Sequence, residues 1–321
     1  TNQKQQAAYK EEIEKLKKEF PGHRFIVETA EDALLPEVDV IFGSKVEREA
    51  IEKAVNLKLL IVPIVGVDHM PLGILRERRV RVANSHGNAE SVAERAFALI
   101  LSFYGRIVEF HNDLRNGLWH GFWVDKGLED TWTSINGKSC AILGAGEIGA
   151  VLARYLAPFG GRIIGLRRSV PPVLPPGFDM ITTSLEEAVA EGEIVVSVLP
   201  LTAETKGVID GSILSRMKGK LLVNVGRGEV IEEEALYRAL TDGTLMGAAI
   251  DTWYTYPAKG KTEGAPSRFP IHTLPNVVLS PHTAGFTREA AKLNMEQGFE
   301  NLRRYLASGD LLYEVNIALG Y

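Results

Sequence analysis

The segment Gly144-Ala145-Gly146-Glu147-Ile148-Gly149 constrains this chain more than any other stretch. It follows the apolar run Ser139–Leu143, which reads as a strand, and it opens Glu147–Pro158, which reads as a helix. A G-x-G-x-x-G pattern alone is weak, but between a strand and a helix it predicts a dinucleotide-binding turn. The three glycines then have distinct roles. Gly144 permits the tight turn, Gly146 lets a pyrophosphate approach the backbone, and Gly149 lets the helix pack close to the strand. The helix N-terminus supplies unpaired N–H groups for the phosphates.

The rest of the chain agrees with an α/β fold. Short apolar runs at Phe25–Val27, Val38–Phe42, Leu57–Val65 and Val80–Ala83 alternate with helical stretches such as Arg48–Val55. A second series follows the glycine turn: Arg162–Leu166, Ile194–Val198, Leu221–Val225, Met246–Ile250 and Val277–Leu279. Alternating strands and helices imply parallel sheets with crossover helices. A chain of 321 residues is comfortable for two such cores, because single cores stop growing near ~250–300 residues. Tyr9, Ile13, Leu16 and Phe20 form a first helical stripe that Pro21-Gly22 ends, and Lys4–Lys18 is read as its solvated face. Asn88 to about Ile107 is predicted as one long, buried helix, and Thr287 as the N-cap of a last helix with Leu293, Phe299, Leu302 and Leu306 inward. Between them, residues 116–138 carry Trp119, Trp123 and Trp132 without periodicity. That aromatic loop either folds onto its own domain or buries itself in a partner chain.

Bulk properties exclude several classes. A net charge of −5 argues against binding nucleic acid by phosphate neutralisation. No apolar run reaches the ~18–20 residues of a membrane span, and Thr1–Phe20 lacks the apolar core of a secretory leader. The one cysteine, Cys140, forms no internal disulfide and is read as a buried structural thiol, which fits a cytoplasmic protein. His69, His111, His120 and His272 lack ligand spacing, so no metal site is expected.

The residue after the next strand speaks to the dinucleotide. An acid about 20 positions past the first glycine would bind the adenosine 2′-hydroxyl. Here Arg167, Arg168 and Ser169 stand there, with no carboxylate between Gly161 and Phe178. Two guanidiniums and a hydroxyl suit a 2′-phosphate, so NADP is the expected cofactor.

Three strand-end segments carry the remaining chemistry: Asn224-Val225-Gly226-Arg227-Gly228, Asp251-Thr252-Trp253-Tyr254-Thr255-Tyr256-Pro257 and Ser280-Pro281-His282-Thr283-Ala284-Gly285. Ligands of open α/β sheets bind beyond the carboxyl ends of strands, which is where Arg227 and His282 fall. Hydride transfer to a 2-oxo acid needs a cation for the carboxylate and ketone and a proton donor for the alkoxide. Arginine meets the first need and histidine the second.

These segments, with Val65-Gly66-Val67-Asp68, Ser91-Val92-Ala93-Glu94 and Leu199-Pro200-Leu201-Thr202 followed by Thr205, resemble the D-isomer-specific 2-hydroxyacid dehydrogenases, including glyoxylate/hydroxypyruvate reductases and formate dehydrogenases. The resemblance covers almost the whole chain. It implies a Rossmann nucleotide domain (residues 86–286) inserted into a discontinuous flavodoxin-like substrate domain (1–85 and 287–321), hinge closure, and a homodimer built on the long helix. It implies that His282 is the acid/base and that Val65 and Gly66 hold the substrate carboxylate with Arg227. Leu199, Pro200, Thr205, Val225, Gly226, Asp251 and Gly285 would join the glycine turn and Arg167 in binding the dinucleotide, with Asp251 on the nicotinamide carboxamide. Glyoxylate or hydroxypyruvate would be the substrate, reduced to a D-2-hydroxy acid.

One departure stands out. The family usually pairs its histidine with a glutamate, and Tyr256 occupies that position. The formate dehydrogenase branch carries a neutral glutamine there and shares Trp253 and an asparagine like Asn88, so oxidation of formate, phosphite or another very small acid is an alternative. A phenol does not raise an imidazole pKa as a carboxylate does, so His282 is expected to be less basic than in Glu-paired relatives. Glu263 is a second candidate for the missing acid. Asn88 has two readings, substrate contact or helix N-cap, and Trp253 is read as a pocket wall. His86 is either a cleft residue or a surface histidine. Some relatives act as C-terminal-binding corepressors controlled by the cofactor, but they retain the glutamate and the acidic cofactor residue that this chain lacks.

Overall fold

The computed structural model describes residues 3–26 and 32–321, which divide into two compact units, Thr1–Asn88 with Arg288–Tyr321, and Ala89–Thr287. The strands in chain order are β1 Val40–Phe42, β2 Leu59–Ile61, β3 Arg81–Ala83, β4 Cys140–Leu143, β5 Ile163–Leu166, β6 Met180–Thr182, β7 Ile194–Ser197, β8 Leu221–Asn224, β9 Gly247–Ile250 and β10 Val277–Leu279. All pairings between them are parallel. The molecule therefore has the expected α/β architecture of parallel sheets with flanking helices. Among the described residues, no helix is long and apolar enough to cross a membrane.

The smaller unit holds the sheet β1-β2-β3. Its core gathers Leu60, Val62, Leu75 and Val82 on one side and Leu59, Ile61 and Ala83 on the other. Phe25 and Ile26 lie outside any strand, correcting the expected run there, and Val27 is outside the described residues. In the last helix, Arg288–Ser308, Phe299 is buried and Leu302 packs against the sheet as expected, but Leu293 departs from expectation. Leu293 is exposed, while Asn294, Gly298 and Asn301 are buried. The reason is backbone satisfaction. Asn301 donates to the Asn84 carbonyl and accepts from the Leu312 and Tyr313 amides, and Asn294 accepts from the Gly87 amide. Buried loop amides need such partners, so polar residues take inward positions that periodicity assigns to leucine.

The larger unit has the order β10-β9-β8-β7-β4-β5-β6. The chain runs outward from β4 through β5 to β6, then returns to β7 and proceeds the other way. This is the doubly wound arrangement, with its crevice where the order reverses, between β4 and β7. The inner strands Cys140–Leu143, Ile194–Ser197, Leu221–Asn224 and Gly247–Ile250 are buried throughout, as strands covered on both faces must be. Strand β6, three residues long beside Asp179, is too short and mixed to be read from the sequence.

The long helix is shorter than expected. It spans Ala89–Tyr104, and Gly105 with left-handed Arg106 (φ 50°) ends it before a second helix, Ile107–Arg115. Val92, Ala96 and Ile100 are buried, but Ile107 is 58% exposed. Cys140 is buried, and burial pushes its thiol pKa up to about 12, as a structural thiol requires.

The aromatic segment after the second helix is held by polar contacts. The two His120 ring nitrogens face carboxylates, Nδ1 2.8 Å from Asp130 and Nε2 2.9 Å from Asp113, and the ring stacks on Phe110. Asp130 also accepts from the Gly121 amide and pairs with Lys126 and Arg106. The Asp130 hydrogen bond, then that of Asp113, raises the His120 pKa. A raised folded-state pKa stabilises fully below the unfolded value of ~6.5, and that contribution is lost as pH rises through the folded value. Protection of residues 117–132 from protease or hydrogen exchange is therefore expected at pH 6 and weaker in mildly alkaline solution. His120→Gln should abolish this pH dependence; an identical profile in the variant would assign the effect elsewhere.

Candidate active site

The glycine turn is built as its spacing requires. Gly144 has φ 110°, outside the range of other residues, and a Cβ there would lie 2.9 Å from the Val198 side chain. A Cβ on Gly149 would overlap the Gly144 carbonyl oxygen, so the helix Glu147–Leu156 rests directly on the turn. Gly149→Ala should cost about 1–3 kcal/mol through overpacking and weaken dinucleotide affinity by displacing the turn. Thermal melting and a binding titration check both, and normal values of each would show that the helix can retreat. Gly146 caps the helix without a side-chain acceptor, and the space beside it is open. First-turn N–H groups with no capping side chain, a positive helix end and room at Gly146 fit a dinucleotide pyrophosphate.

The neighbouring loops lock onto this turn. The Leu166 carbonyl accepts from the Gly144 and Ala145 amides at 3.2 and 2.9 Å, which sets Arg167 beside the turn. Arg167 is exposed, and among the described residues its guanidinium makes no hydrogen bond or ion pair. Arg168 differs from the expectation of two available bases: its guanidinium lies 2.7 Å from Glu204. Ser169 is exposed. After β7, Thr205 closes its own turn, donating to the Pro200 carbonyl at 2.6 Å and accepting from the Thr202 amide. Leu199 lies against Gly226, where a Cβ would come within 2.6 Å of the Leu199 carbonyl oxygen.

The loops after β8, β9 and β10 interlock around one buried carboxylate. Asp251 is fully buried; it accepts from the Ser280 hydroxyl and the Thr283 amide (3.0 Å) at Oδ1, and from the Ala284 amide (3.1 Å) at Oδ2. Between these anchors His282 is held at φ 56°, a left-handed backbone that a non-glycine residue adopts only under constraint. Trp253, buried, donates from Nε1 to the Ser280 carbonyl, and Gly228 packs against the Trp253 carbonyl. Asn224 donates to the Arg227 carbonyl and accepts from the Gly226 amide, fixing the loop that carries half-buried Arg227. Val225 is buried in that loop, and Gly285 follows the His282 anchor half-buried.

Tyr256 meets His282: the ring centroids are 5.2 Å apart and tilted by 41°. Its hydroxyl accepts the Trp253 amide at 3.0 Å. Glu263 is exposed and, among the described residues, makes no hydrogen bond or ion pair, so it does not replace the missing acid.

The smaller unit carries the other candidates. The Val65 carbonyl accepts from Asn84, and among the described residues the amides of Val65 and Gly66 have no acceptor. Asn88 directly precedes the helix Ala89–Tyr104, at its cap position. His86 is neither exposed nor isolated: it stacks on Tyr313 at 4.4 Å and contacts Asn84.

Sequence reasoning singles out neither Ser280 nor Glu204. Ser280 sits in a recognised segment, but only the fold shows its hydroxyl on Asp251; Glu204, 36 residues from Arg168, leaves no local signal.

Comparison with known proteins agrees with this geometry. Residues 97–284, more than half of the chain, match the family model "D-isomer specific 2-hydroxyacid dehydrogenase, NAD binding domain". The chain is 34% identical over 277 residues to a glyoxylate reductase of Thermofilum pendens, covering 84% of this chain and 77% of that one. It is similar to the NADPH-dependent glyoxylate/hydroxypyruvate reductase of Sinorhizobium meliloti solved with NADP and malonate (TM-score 0.74, 25% identity, 91% and 90% of the two chains). It is also similar to the NAD-dependent formate dehydrogenase of Staphylococcus aureus solved with NAD (TM-score 0.71, 31% identity, 92% and 89% covered). With its glycine turn, its parallel sheets and its strand-end histidine and arginine loops, the chain belongs to the D-isomer-specific 2-hydroxyacid dehydrogenase family.

Proposed function

We propose that this enzyme uses NADP(H) to reduce a small 2-oxo acid, glyoxylate or hydroxypyruvate, to the D-2-hydroxy acid. The observation that carries the reading is the His282 loop, a histidine in strained backbone anchored by buried Asp251 at the end of the sheet. When bound, the dinucleotide supplies the hydride. Arg227 binds the substrate carboxylate and polarises the ketone. His282 as imidazolium donates its proton to the oxygen as the carbonyl carbon is reduced. Trp253 bounds the substrate site. Asp251 retains acceptor capacity on Oδ2 for the nicotinamide carboxamide. In this reading the nucleotide domain is 86–286, and 1–85 with 287–321 is the substrate domain.

NADP preference rests on Arg167 beside the glycine turn and on the absence of an acid between Gly161 and Phe178. The test is initial rates of NADPH and NADH oxidation at pH 6 and pH 8 with glyoxylate, hydroxypyruvate, pyruvate and phenylpyruvate. Faster turnover with NADPH supports the reading; equal rates with NADH remove the cofactor assignment. The neutral Tyr256 beside His282 adds a direction: reduction weakens as pH rises from acidic toward neutral, and Tyr256→Glu moves that fall to higher pH. A wild-type rate flat from pH 5.5 to 8, with chemistry limiting, contradicts it.

The same neutral residue favours a second reading, oxidation of formate or phosphite, reactions that place less demand on a charged histidine. Reduction of NADP by those acids, without turnover of the 2-oxo acids, would select it. The exposed Trp119, Phe122, Trp123 and Trp132 support a homodimer in which the partner covers them. Sedimentation or light scattering tests that assembly.

A further inference from the structure

We propose that Glu204 is a cofactor-selectivity residue, holding Arg168 across the glycine turn and disfavouring the 2′-phosphate. The inference rests on the reading that Arg167 and Arg168 face the adenosine end of NADP. Strand β4 lies between β5 and β7 in the sheet. Arg168 comes from the loop after β5 and Glu204 from the loop after β7, and their side chains meet at 2.7 Å. The bridge thus joins the two loops that flank Gly144. Both loops meet the turn: Leu166 accepts its amides on one side, and on the other Val198 packs so close to Gly144 that a Cβ there would lie 2.9 Å from its side chain. Glu204 is also held in place, since Thr202, Thr205 and Pro200 form a closed hydrogen-bonded turn around it.

A 2′-phosphate approaching Arg168 must compete with this carboxylate for the guanidinium and approaches a like charge. A dinucleotide with a 2′-hydroxyl meets neither cost. Glu204 thereby narrows the preference for NADPH that the arginines create. Both partners are substantially exposed, 39% and 70%, so screening keeps the effect modest.

The experiment titrates NADPH, NADH, 2′,5′-ADP and 5′-AMP into wild type, Glu204→Gln, Arg168→Gln and the double variant, following tryptophan fluorescence or heat. Glu204→Gln is expected to tighten NADPH and 2′,5′-ADP by about two- to fivefold, leaving NADH and 5′-AMP unchanged. The gain should shrink in high salt and disappear in the Arg168→Gln background. No gain, or weaker binding of 2′,5′-ADP, in a protein that does prefer NADPH would overturn the inference, the second result making Glu204 a positioner of Arg168 for the phosphate. A wild type that binds 2′,5′-ADP no better than 5′-AMP would instead overturn the NADP reading beneath it.

Discussion

Replacing His282 by glutamine is expected to lower the rate of 2-oxo acid reduction by about 10²- to 10⁴-fold, with dinucleotide affinity unchanged. The imidazole is the group at this strand end that can deliver a proton near neutral pH. Glutamine keeps a donor amide but has no transferable proton, so binding and polarisation survive while proton delivery does not. The loop itself should tolerate the change, because the amides of Thr283 and Ala284 anchor it on Asp251. Single-turnover rates with NADPH, alongside fluorescence titration, separate the two effects. A variant retaining more than a tenth of the wild-type single-turnover rate would remove His282 as the acid and turn attention to a water or to Tyr256. If instead NADPH binding falls in parallel with rate, the loop has collapsed and Asp251 becomes the explanation.

The second large effect belongs to Asp251. Its carboxylate is buried and accepts from one hydroxyl and two amides of the segment that carries His282. Asp251→Ala leaves these buried donors without an acceptor, at about 1–3 kcal/mol for each unpaired group. Partial relaxation brings the expected loss to about 3–5 kcal/mol of unfolding free energy. Activity should fall as well, because these bonds fix the loop that holds His282 at φ 56°. Denaturant melts and steady-state rates on the same preparation test both. A variant of normal stability with lost activity would assign Asp251 to the nicotinamide carboxamide; a destabilised variant with normal turnover would show that the loop holds its shape without it.

Much of this is readable from local chemistry. The Gly144–Gly149 turn, the alternation of strands and helices and the strand-end placement of Arg227 and His282 follow from spacing and residue type, because each depends on a few neighbours in the chain. The buried Asn294 and Asn301 are not readable, since the amides and carbonyl they satisfy lie up to 217 residues away. Strand β6 and the helix break at Arg106 escape for a different reason. A three-residue strand carries almost no periodic signal, and a left-handed arginine breaks no propensity rule strongly enough to announce itself.

The sequence by itself determined the class of chemistry: a dinucleotide turn, an arginine pair in place of the usual acid, and a histidine whose customary glutamate is a tyrosine. Only the tertiary structure decided how those residues are used. It brings the Tyr256 ring onto His282, turns Asp251 inward to anchor the loop, and commits Arg168 to Glu204. The physical reason is that backbone periodicity and turn geometry are local properties. Hydrogen-bond partnership and charge pairing depend on which strand ends the sheet order sets side by side, and that order is a property of the whole fold.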